Sequence, residues 1–66
     1  MRNRTYRNFM KVMEVLVNEK HYHTAEAEDM TRVIFDNVER DTVGHNVEWY
    51  LNKIITKEEW LEQGGD

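Results

Sequence analysis

Apolar residues recur along this chain at helical spacing. Over residues 5–20, Tyr6, Phe9, Met10, Met13, Leu16 and Val17 fall at i, i+3, i+4, i+7, i+10 and i+11. At 100° per residue they share one face about 100° wide, which predicts a core-facing amphipathic helix. Val15 and Val17 are β-branched and lower the intrinsic propensity without hiding the period. After a loop over residues 19–23, Thr24 is a natural N-cap, and Glu26, Glu28 and Asp29 suit the positive end of a helix dipole. Ala27, Met30, Val33, Ile34 and Val38 form the apolar face of this second helix, which ends near Arg40. Asn37 lies on the same face, as a buried polar group with a partner or as the edge of the stripe.

Asp41 or Thr42 can cap a third helix running to about Ile55, with Val43, Val47, Tyr50, Leu51 and Ile54 on its face and Gly44 weakening its first turn. Thr56-Lys57-Glu58-Glu59 is a capping box, with Thr56 as N-cap and Glu59 at the third helical position. Trp60 and Leu61 follow, and Gly64-Gly65 stops the helix. A helix over residues 57–63 is too short to stand alone, so it must dock through Trp60 and Leu61. The rival reading makes strand cores of Val15-Leu16-Val17 and Val33-Ile34-Phe35. Their flanks keep the helical period and no hairpin dipeptide separates them. The expectation is therefore an all-α fold: a compact three-helix domain with a short fourth C-terminal helix. Residues 1–4 would be a basic flexible arm, 5–63 the helical domain and 64–66 a C-terminal tail.

With 66 residues, the chain is one small domain with a thin stability margin. It has no cysteine, so neither disulfides nor thiolate zinc sites can reinforce it. No stretch approaches the roughly 20 apolar residues of a membrane span, and residues 1–4 lack the apolar run of a signal peptide. A cytoplasmic location is the default expectation. The net charge of −4 opposes a general affinity for nucleic acid or anionic membrane. That charge is unevenly placed: residues 1–24 carry a net +3 and residues 25–66 a net −7.

Few residue patterns suggest chemistry. His21-x-His23 with His45 could supply three metal ligands, but no HExxH motif is present and loop histidines need no metal. Glu26, Glu28, Asp29, Glu58 and Glu59 sit where helix starts account for them. The chain has no serine or cysteine nucleophile and no glycine-rich phosphate loop. No catalytic residue, metal, cofactor or small-molecule substrate is expected. The second and third helices resemble a helix-turn-helix only in being two helices joined by a turn. The N-terminal half of the third offers His45, Asn46 and Glu48 to a groove, without arginine. Arg2, Arg4, Arg7 and Lys11 form the better nucleic-acid feature, because a basic arm can enter a minor groove. The eleven acids of residues 25–66 allow a third reading, an acidic imitation of a DNA backbone.

The most informative residues are apolar ones that miss the predicted core faces. Val12 and Val15 lie off the first helix face, Phe35 on the flank of the second, and Trp49 nearly opposite Val47 and Leu51. One three-helix core cannot bury all four, which points to a second apolar surface that meets another protein chain. The favoured function is a non-enzymatic protein–protein interaction module that pairs with itself through Val12, Val15, Phe35 and Trp49. The texture (short, acidic, helical, rich in Tyr and Trp) is similar to that of small proteins carried by phages and mobile elements.

Overall fold

The computed structural model describes the backbone of residues 3–65 and the side chains of residues 6–65. The fold is all-α, with four helices and no strand among the described residues: α1 (Asn3–Asn18), α2 (Thr24–Arg40), α3 (Val47–Asn52) and α4 (Lys57–Glu62). Because α1 begins at Asn3, two residues of the expected arm are helical. Met1 and Arg2 lie outside the described residues.

α1 and α2 pack as an antiparallel hairpin. The turn is made by His21, which takes φ +67°, and the Tyr22 N–H donates to the Leu16 carbonyl at 3.0 Å. This drives the Tyr22 ring inward, and its hydroxyl donates to the Ile55 carbonyl at 2.8 Å. Tyr22 joins Val12, Leu16, Ala27 and Ile34 in the core. Thr31 is fully buried beside them and returns its hydroxyl to the Ala27 carbonyl at 2.6 Å. α2 is capped one residue earlier than expected, by His23, whose N–H donates to the Glu26 carboxylate at 3.1 Å.

α1 is rotated by roughly 80° about its axis from the predicted face. Val12, expected on a second surface, is 5% exposed and belongs to the core, while Tyr6 and Met10, expected inside, are 56% and 42% exposed. The physical reason is the width of the stripe. Counted from Val15 to Met10, the apolar positions of α1 cover roughly 220° of the helix, about twice what one core-facing contact buries. Val47, Tyr50, Leu51 and Ile54 of the α3 region pack onto the core and settle which part is covered.

α3 starts at Val47, not near Asp41, and ends at Asn52 rather than Ile55. Asp41 turns its carboxylate forward instead, accepting the N–H of Val43 at 2.7 Å and of Gly44 at 3.0 Å. Gly44 takes φ +94°, which delays the helix until Asn46 accepts the Trp49 N–H at 2.9 Å.

α4 follows its expected cap and stop, but Leu61, expected to dock beside Trp60, is 53% exposed, which leaves Trp60 as the docking side chain. The Thr56 hydroxyl accepts the Glu59 N–H at 3.2 Å. At the other end, Gly64 (φ +80°) donates to Leu61 O at 3.1 Å and Gly65 to Trp60 O at 3.0 Å, the paired bonds of a Schellman stop. The helix is clasped to the α1–α2 turn: Lys57 N donates to Lys20 O at 2.7 Å, Lys57 Nζ meets Glu26 at 2.5 Å, and His21 pairs with Glu58. Trp60 is half-buried beside Tyr22, Met30 and Ile54. Asn37 is exposed, at the edge of its stripe.

Candidate interaction surface

The α1–α2 hairpin has two long sides. On one, Val12 and Val15 of α1 face Val47 and Leu51 of α3 across a groove of about 400 Å³ that also takes in Asn8, Lys11, Asn46 and Glu48. The opposite side of α1 carries Tyr6, Met10, Met13 and Val17 at i, i+4, i+7 and i+11, a continuous row down the helix. Met13 and Val17 are half-buried, Val17 against the chain's own core, so the exposed part of the row is Tyr6 and Met10. Phe9, also half-buried, joins this row to α2 by stacking on Phe35, with ring centroids 5.9 Å apart. The result is an apolar face of Tyr6, Phe9, Met10, Met13, Val17 and Phe35.

The four residues singled out from sequence do not form one patch. Val12 is in the core, and Val15 is half-buried in the groove beside α3. Phe35 lies on the Phe9 side of the hairpin, half-buried and packed against the core, at the inner border of the apolar face. Trp49 is 39% exposed, stacked on His45 at 3.7 Å, edge-on to Tyr50 at 4.9 Å and covered by Lys53 Nζ at 4.8 Å. Sequence reasoning missed Tyr6 and Met10 by assigning them to the core. Their signal was the stripe itself, too wide for one contact.

Of the basic residues, Arg7 and Lys11 are exposed on α1, one turn apart. The side chains of Arg2 and Arg4 lie outside the described residues. Several acids are engaged within the chain: Glu26 with Lys57, Glu28 with Arg32, and Glu58 with His21. Asp41 is the most heavily coordinated. Its carboxylate accepts the Tyr50 hydroxyl at 2.5 Å and approaches His45 Nδ1 at 2.8 Å, besides the two backbone N–H groups. The Tyr50 bond, with those from His45, Gly44 and Val43, holds the carboxyl well below its ordinary range against an opposing desolvation effect. The same bond, with burial, pushes the Tyr50 phenol up. This arrangement shapes the α2–α3 loop: each donor reaching Asp41 comes from within nine residues of it. Among the described residues no three His, Asp or Glu side chains are grouped to hold a metal ion, and no helix is long and apolar enough to cross a membrane.

No family model, curated protein or solved structure matches the chain.

Proposed function

We propose that this chain is a small non-enzymatic protein–protein interaction module. The observation that carries the reading is the apolar face of Tyr6, Phe9, Met10, Met13, Val17 and Phe35 on the side of the hairpin away from α3. Aromatic and methionine side chains are enriched at docking surfaces, where rings bury a large area and the flexible thioether adapts to the partner's shape. The four-residue patch expected from sequence gives way to this face, with Phe35 the residue common to both. Catalysis is not part of the proposal, and the cysteine-free composition is compatible with the cytoplasm, the proposed compartment. Nucleic-acid binding would draw on the basic residues of α1 against a net charge of −4, and the acidic-decoy reading loses the acids committed to internal pairs. Both rank below docking to a protein.

A benzophenone amino acid in place of Tyr6 tests the reading in cells that produce the protein, with the same probe at Val43, 78% exposed but remote in sequence from α1, as control. The expected result is a discrete protein adduct from position 6 and none from position 43. No protein adduct from position 6 would overturn the proposal.

A further inference from the structure

We infer that the occupant of this face is a second copy of the chain, docked so that the two α1 helices run antiparallel across a twofold axis. The inference rests on the docking reading above and adds the identity and direction of the partner.

The row on α1 has coiled-coil spacing. Tyr6, Met10, Met13 and Val17 alternate steps of four, three and four, the d and a positions of two successive heptads. In that frame Arg7 and Glu14 both occupy the e position, one heptad apart, and both are exposed. The other flank, at g, carries Phe9 and the core residue Leu16, which face the chain's own α2. The charged flank is thus confined to one edge of the seam and has one residue of each sign.

That edge is self-complementary in one orientation only. When two copies of α1 pair antiparallel, each e edge meets the e edge of the other copy in reverse order. Arg7 of one chain then faces Glu14 of the other, and the twofold axis repeats the pair. In a parallel pair each e edge meets the g edge, where Arg7 and Glu14 would find Phe9 and Leu16 and gain no charge partner. Antiparallel pairing also sets Met10 of each copy against Met13 of the other and Tyr6 against Val17. Two stacked α1–α2 hairpins then make a four-helix arrangement with Phe9 and Phe35 at its inner border.

The test is sedimentation equilibrium from micromolar to millimolar concentration on wild type, Arg7→Glu, Glu14→Arg and an equimolar mixture of the two variants. Each variant alone sets like charges against each other twice and should self-associate about tenfold more weakly than wild type, from two exposed pairs of ordinary size. In the mixture, one copy offers two acids and the other two bases, so association should recover to the wild-type level or beyond. Circular dichroism melts at micromolar concentration check that both variants remain helical. Met10→Glu, at the centre of the seam, should leave only monomer. A wild type that stays monomeric up to millimolar concentration overturns the inference. So does a dimer indifferent to the charge reversals, because its copies would be paired by a different edge. If the position-6 probe meanwhile captures a different protein, the docking reading stands and the second copy falls. If it captures none, both fall.

Discussion

Replacing Val12 by Ala tests the rotation of α1, on which the docking face depends. Val12 is 5% exposed, so nearly all of its side chain would be lost from packed surroundings. Removing two methylene equivalents forfeits about 1.6 kcal/mol of transfer free energy, and the unfilled space adds to that, so the expected cost is about 2 kcal/mol. At about 0.05–0.15 kcal/mol per residue, the whole domain is held by roughly 3–10 kcal/mol, so this one change removes a large share. In a domain this small the melting temperature should fall by about 10 °C. Met10→Ala is the matched control. Met10 is the longer side chain but 42% exposed, and its truncation should cost no more than about 0.5 kcal/mol in the monomer, as at other surface positions. The assay is urea and thermal denaturation followed by circular dichroism at low micromolar concentration, where association does not contribute. A costly Met10→Ala beside a neutral Val12→Ala would restore the face centred on Tyr6 and Met10 as the core and refute the argument.

Three further outcomes follow from the capping and loop chemistry. Asp41→Asn keeps the size of the side chain but gives up the charge that attracts Tyr50, His45 and two N–H groups, so it should lower the melting temperature at neutral pH. Because the folded-state pKa of Asp41 is depressed below its ordinary 3.8, its stabilising effect is complete above that pH and is lost as pH falls through the folded value; the gap between wild type and variant should close only in strong acid. Carboxyl carbon shifts in a pH titration check this, and an Asp41 that protonates at an ordinary pH refutes it. Thr56→Ala should cost about 1 kcal/mol in denaturant melts through loss of the N-cap bond to Glu59. Gly65→Ala should destabilise α4 because a β-carbon there runs into the Trp60 ring, visible as a change in tryptophan fluorescence; an unchanged spectrum and melt would mean the Schellman stop is not formed.

The parts legible in the sequence are those decided by local chemistry. The Thr56 cap and the Gly64-Gly65 stop involve bonds between residues three to five apart, so pattern alone places α4. The hairpin helices are legible for a similar reason, since their periodicity needs no knowledge of the neighbour. The orientation of α1 is not. Its apolar arc is wide enough to offer two contacts, and which of them is internal depends on where Val47 and Leu51 arrive from about 30 residues away. The same limit hid Tyr22, a loop residue that enters the core only because His21 adopts a left-handed backbone. It also hid the start of α3. Asp41 has the chemistry of an N-cap, yet Tyr50 and His45 recruit its carboxylate into a loop, and Asn46 takes over the cap.

Which side of the hairpin meets a partner is read most directly from a dilution series of amide NMR spectra, from millimolar to micromolar concentration. Shift changes and line broadening are expected at Tyr6, Met10, Met13 and Val17, with a smaller effect at Phe35 and none at Val15, Leu51 or Trp49. Changes centred on Val15, Val47 and Leu51, or on Trp49, would put the contact on the α3 side and contradict the proposed docking face.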